Sequence, residues 1–162
     1  MGSEMCIRDR DSSIPDGDTA IVNAHFKMPA TWSADNAPPL LGLVNSKTQW
    51  IFTRGNIISL TISAADALGL DRIAEDDLLP QLWAEVVAAL GLPAETTYDA
   101  GRLIRERRAT FEQSPESVAK RPATKTQFSN LVLAGDWTDT GLPATIEGSI
   151  RSGEMVAKAI LS

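Results

Sequence analysis

The sequence predicts a mixed α/β (α+β) chain in two parts, an antiparallel sheet followed by a strand–turn–helix ending. Three observations predict it. Four short segments between Ile21 and Ser63 are rich in strand formers and are separated by polar turns. Between Asp76 and Leu90 the apolar side chains recur three and four residues apart. From Leu131 to Leu161 the chain reads as an apolar strand, a Gly-Asp turn, a loop, and a helix that opens at Pro143.

The 162 residues suffice for a domain with a core, and 43% hydrophobic with 22% charged content is ordinary for a globular protein. The net charge of -6 argues against a nucleic-acid partner, which requires clustered Lys and Arg. It equally disfavours electrostatic docking to anionic lipid. No apolar run reaches the length of a membrane span. Cys6 is the one cysteine, so neither a disulfide framework nor a Cys-based zinc site is available. A reducing compartment and a cytoplasmic location follow as expectations. The opening MGSEMCIRDR lacks both apolar periodicity and signal-peptide character. Its MCIRDR resembles a translated adaptor remnant, so residues 1–12 are read as a non-native leader.

The first strand is expected over Ile21–Met28 and ends at Pro29. A loop spans Thr31–Pro39, with Asp35, Asn36 and two prolines. Leu40–Val44, Thr48–Thr53 and Ile57–Ser63 follow, joined by Asn45-Ser46-Lys47 and Arg54-Gly55-Asn56. Short turns of this kind predict an antiparallel meander. The helix over Asp76–Leu90 has Leu79, Leu82, Trp83, Val86 and Leu90 on one face. Glu75, Asp76 and Asp77 favour its N-terminus, Pro80 requires that it begin just before that residue, and Gly91 with Pro93 closes it. Arg102–Phe111 reads as a charged extended segment, and Ser114–Asn130 as a polar surface connection.

The ending carries the chemistry. Leu131–Ala134 is apolar at every position, which suits a strand covered on both faces of a parallel sheet. Gly135 then permits close backbone approach, and Asp136 offers a carboxylate to hydroxyl donors. Pro143, Ala144, Thr145 and Ile146 form the helix start, where free N–H groups and the helix dipole favour an electron-rich ligand. Gly148, Ser149, Ser152 and Gly153 make a small-residue face, and Ile146, Ile150, Val156 and Ile160 an apolar one.

AGDWTDTGLPATIEGSIRSG, from Ala134 to Gly153, resembles the C-terminal motif of the squalene-associated FAD-dependent desaturases, or hydroxysqualene dehydroxylases, within the flavin amine oxidase and phytoene desaturase superfamily. IVNAHF, LLGLVNSKTQWIF, ISAAD and RERRATF agree in order. The resemblance runs from about Ile14 to the end, roughly the last third of that family's length. The family's N-terminal GxGxxG is not in the sequence, which reads as the tail of a longer enzyme.

The resemblance implies FAD as cofactor and an apolar isoprenoid substrate. It also implies reductive dehydroxylation of hydroxysqualene to squalene, and peripheral contact with the inner membrane. Residues 13–113 would be part of a substrate domain, and 114–162 the C-terminal part of a Rossmann-like FAD-binding domain. Gly135 and Asp136 would meet the diphosphate and ribityl region, Trp137 and Thr138 would lie close to the flavin, and Pro143 through Ile146 would face the isoalloxazine edge. Asp139 and Glu147 are the nearest carboxylates, yet acids at a helix start suit the dipole better than proton donation, so the catalytic acid is unassigned. A phytoene desaturase, an amine oxidase and a non-catalytic module derived from a flavoprotein are the competing readings.

His25, the single histidine, has no second ligand nearby and reads as structural rather than metal-binding. Arg105, Arg107 and Arg108 read as a solvated strand edge. Trp32, Trp50 and Trp83 read as packing residues, with Trp50 also a candidate to line an isoprenoid tunnel. Ser59, Ser63 and Ser149 lack the setting of a serine nucleophile.

Overall fold

The computed structural model describes residues 14–15, 17–34 and 37–161. The leader expected over residues 1–12, with Cys6, and the loop positions Asp35 and Asn36 lie outside the described residues. The chain divides into two units: Thr19–Ala109, and a second that begins at Thr110 and takes in the segment ending at Asp18.

The first unit is built on a sheet of β1 (Asp18–Lys27), β2 (Leu40–Gly42), β3 (Trp50–Arg54), β4 (Ile57–Ile62) and β5 (Ala100–Phe111). Their order is β2-β3-β4-β1-β5. The meander expectation holds for β2, β3 and β4, which pair antiparallel in turn. It fails for β1, which pairs antiparallel with β4, Val22 opposite Ile62 through Lys27 opposite Ile57. The physical reason lies in its side chains. Val22, Ala24 and Phe26 are fully buried in the core that α1 covers, which favours a central place in the sheet over an edge. On its other side β1 meets β5, where Asp99 N–H donates to Lys27 O at 2.8 Å. The charged strand read as an edge is the edge, and it is capped rather than bare. Leu103 N–H donates to Glu75 Oε1 at 3.3 Å, which occupies a backbone group that would otherwise template another strand, and the Arg105 side chain reaches Ile73 O at 2.6 Å.

Helix α1 (Glu75–Leu90) packs Leu78, Leu79, Leu82, Trp83 and Val86 into the core with Ile51, Ile58, Leu60 and Ile62. Each such burial contributes roughly 1.5–3 kcal/mol. Phe26, Trp83 and Tyr98 form a triangle with ring centroids 4.8–5.1 Å apart, and Trp83 Nε1 donates to Thr96 O at 2.9 Å. Gly91 closes the helix at φ 62°, with Leu92 N–H returning to Val87 O. Pro80 lies inside the helix rather than at its start. It is tolerated because it and Asp76, whose carbonyl it leaves unbonded, both face solvent. Glu85 reaches the β2–β3 turn, accepting from Ser46 Oγ at 2.8 Å and Thr48 N–H at 3.1 Å.

In the second unit α2 (Pro115–Ala119) begins at Ser114, whose Oγ accepts from Ser117 N–H. The strand expected over Leu131–Ala134 is reduced to a single antiparallel bridge, Val132 with Lys125. No parallel partner for it lies among the described residues, so strand character there is limited to one pairing. Helix α3 (Ile146–Leu161) follows the loop. Its expected apolar packing face is not packed: Ile146, Ile150 and Ile160 are 83%, 55% and 66% exposed. The buried positions are instead the small ones, Gly148 and Ser152, because the neighbouring backbone approaches that side too closely for a larger side chain.

Candidate functional site

The segment Gly135–Ile146 is held from beneath by one arginine. Arg121 Nη1 donates to Leu142 O at 2.6 Å, and Nη2 donates to Asp136 O at 2.8 Å and Thr140 Oγ1 at 3.4 Å. Its guanidinium lies over the Phe111 ring, 5.8 Å from the centroid. The planar fork suits this task, since it reaches two carbonyls at opposite ends of one loop. Asp139 N–H donates to Pro122 O at 2.8 Å, and Thr138 Oγ1 to Gly135 O at 2.8 Å. The side chain of Thr138 is thus turned inward and fully buried.

Gly135 has φ 137°, and a Cβ there would stand 2.5 Å from Trp137 Nε1. Only glycine allows the Trp137 indole to lie against this backbone. Gly135 N–H donates to Ser152 Oγ at 2.9 Å, so the turn is tied to the second turn of α3. Asp136 gives its carbonyl to Arg121 and is half-buried, and its carboxylate has no hydrogen-bond partner among the described residues.

Thr145 is the N-cap of α3, its Oγ1 accepting from Gly148 N–H at 3.2 Å. Ala144 N–H is met by Gln113 Oε1 at 2.9 Å. The N–H groups of Thr145, Ile146 and Glu147 have no acceptor among the described residues, and all three residues are exposed. A Cβ on Gly148 would stand 2.8 Å from Pro143 O, so the first turn is drawn tight against the loop. This arrangement is a cluster of outward N–H donors at the positive end of a helix dipole, on a braced loop. It fits an electron-rich planar ring edge with a polar tail.

Of the residues expected at the site, Gly135, Asp136 and Trp137 meet at the turn, Thr145 and Ile146 form the helix start, and Pro143 and Ala144, expected to open the helix, lie in the loop just before its cap. Arg121 and Gln113 went unforeseen. Both lie in a polar stretch without periodicity, and only long-range contacts reveal their roles. Ser152 was legible as a small residue but not as the acceptor for Gly135.

His25 Nδ1 is 2.9 Å from Ser59 Oγ across β1 and β4. No group of three His, Cys, Asp or Glu side chains among the described residues could hold a metal ion. No helix among them is long and apolar enough to cross a membrane. Trp83 and Trp32 pack in or against the core, whereas Trp50, 45% exposed, lies outside it.

Residues 17–161 match the family described as flavin containing amine oxidoreductase. The chain is 44% identical over 143 residues to a hydroxysqualene dehydroxylase of Rhodopseudomonas palustris, covering 88% of this chain and 32% of that protein. A hydroxysqualene dehydroxylase of Sinorhizobium fredii is 45% identical, covering 88% and 33%. One from Zymomonas mobilis is 40% identical over 152 residues, covering 94% and 35%. The chain therefore spans about a third of the length of the curated relatives it matches. With that family match running over residues 17–161, most of its length, the chain belongs to the flavin containing amine oxidoreductase family.

Proposed function

We propose that the chain is the C-terminal third of an FAD-dependent oxidoreductase that removes the hydroxyl of hydroxysqualene reductively, yielding squalene. The observation that carries this reading is the braced loop and open helix start. Arg121 holds Asp136 and Leu142, and the unpaired N–H groups of Thr145, Ile146 and Glu147 face outward. When bound, the flavin supplies the hydride-donating chemistry. The residues of this chain do the positioning. Gly135 and Asp136 meet the polar tail of the cofactor, and Trp137 borders it. Pro143 to Ile146 face the ring edge that gains negative charge on reduction, with the free N–H groups of Thr145 and Ile146 as donors at the positive end of the helix dipole. The names of the relatives support a hydroxylated C30 isoprenoid as substrate. A substrate of that apolarity calls for peripheral contact with the inner membrane, with the protein on the cytoplasmic side.

The test is expression of the reading frame extended upstream, followed by a visible spectrum and product identification. A bound-flavin spectrum and conversion of hydroxysqualene to squalene under a reductant are expected. Conversion of phytoene alone would replace the reading with a desaturase. Lack of flavin in the extended protein would favour a non-catalytic module.

A further inference from the structure

We infer that the face of the sheet turned away from α1 takes the isoprenoid alcohol, its hydrocarbon along β2 and β3 and its hydroxyl at His25 and Ser59. This rests on the function proposed above and names the residues that select its substrate. The strand registers place two rows of side chains across that face. One row runs Leu40, Phe52, Ser59, His25, and the next Gly42, Trp50, Thr61, Asn23. Each row changes character midway. On β2 and β3, Leu40, Trp50 and Phe52 are 50%, 45% and 41% exposed. Trp50 lies over Gly42, where a Cβ would stand 3.1 Å from its ring. A solvated sheet face would carry polar side chains at these positions.

On β4 and β1 the same rows end in hydrogen-bonded pairs. His25 Nδ1 meets Ser59 Oγ at 2.9 Å, and Thr61 Oγ1 donates to Asn23 Oδ1 at 2.8 Å. A groove of about 470 Å³ runs beside Phe52 and Ser59, with Ile57 and Arg54 at one end. A flat apolar half adjoining a hydrogen-bonding half complements a long hydrocarbon with one polar group.

The polar group is a hydroxyl for two reasons. His25 Nε2 has no partner among the described residues. With Nδ1 accepting from Ser59 it carries a proton and donates, and with Nδ1 protonated it accepts. A hydroxyl satisfies either tautomer. Neither row contains a carboxylate, which an amine substrate would need as counter-charge.

The full-length flavoprotein, oxidised and without reductant so that nothing turns over, is titrated with hydroxysqualene and with squalene in detergent micelles. Tryptophan quenching is read, with Trp50→Phe identifying the signal from this face. Wild type is expected to prefer the alcohol roughly tenfold, the worth of one or two hydrogen bonds. His25→Leu reduces that ratio to about one while squalene binding persists, and His25→Gln restores part of it. Phe52→Ser weakens both ligands together and leaves the ratio intact, so a partial folding defect cannot imitate the result. An unchanged ratio in His25→Leu, in a protein that still converts hydroxysqualene, overturns this inference alone. A wild type that neither binds nor converts the alcohol overturns the proposed function with it.

Discussion

Ser152 Oγ accepts the Gly135 N–H at 2.9 Å and donates to Ser149 O at 2.7 Å. One hydroxyl, 99% buried, therefore joins the turn after Leu133 to the body of α3. The angle at which the helix start meets the loop depends on this link. Replacement by alanine leaves the half-buried Gly135 N–H without its partner, at a cost of about 1 kcal/mol. Ser152→Ala is expected to lower the thermal midpoint and to raise the dissociation constant for FAD, both read on the full-length protein.

Arg121 holds both ends of the loop, so its removal separates what it joins. Arg121→Met keeps the aliphatic stem against Phe111 but abandons the carbonyls of Asp136 and Leu142. Hydrogen bonds from a charged donor are each worth about 1.5–3 kcal/mol. Loss of FAD retention is expected, with a smaller stability loss in the Thr19–Ala109 unit. Arg121→Lys should fall between, because an ammonium cannot span the two carbonyls with one fork. Equilibrium dialysis with FAD, together with limited proteolysis of the loop, checks this.

Gly148→Ala offers a test by sign. On helix propensity alone the change stabilises by about 1 kcal/mol. A Cβ 2.8 Å from the Pro143 carbonyl, which is backbone and cannot swing aside, reverses that. Net destabilisation is expected, with weakened flavin binding. A rise in stability in chemical denaturation would show that the first turn of α3 is looser than described.

Trp83→Ala removes one corner of the Phe26–Trp83–Tyr98 triangle and the hydrogen bond to Thr96 O. A loss of about 3–5 kcal/mol is expected from the cavity and the lost aromatic contacts. Circular dichroism against urea concentration measures it.

The antiparallel strands and α1 were legible because each follows a local period. Alternating burial in β1 and a three-four spacing in α1 survive in any arrangement of their neighbours. The caps were legible for the same reason, since Gly91 and the acidic first turn act over a few residues. The place of β1 between β4 and β5 was not, because strand order depends on which pairs of faces bury most together. Pro80 inside α1 was hidden too, since its tolerance depends on solvent at Asp76.

Readable from the order of residues alone were the strands β1 to β5, helix α1, the Gly-Asp turn, the approximate start of α3, and the family likeness of Ala134–Gly153; the strand expected over Leu131–Ala134 was not among them. Those features rest on backbone preference and short-range spacing. Long-range folding brings Arg121, Gln113 and Ser152 to the candidate flavin site and divides the sheet face into an apolar half and a hydrogen-bonding half. Each of these joins residues distant along the chain, Ser59 with His25 and Asp136 with Arg121 among them. Hydrogen-bond geometry of that kind is set by three-dimensional packing, and no local pattern encodes it.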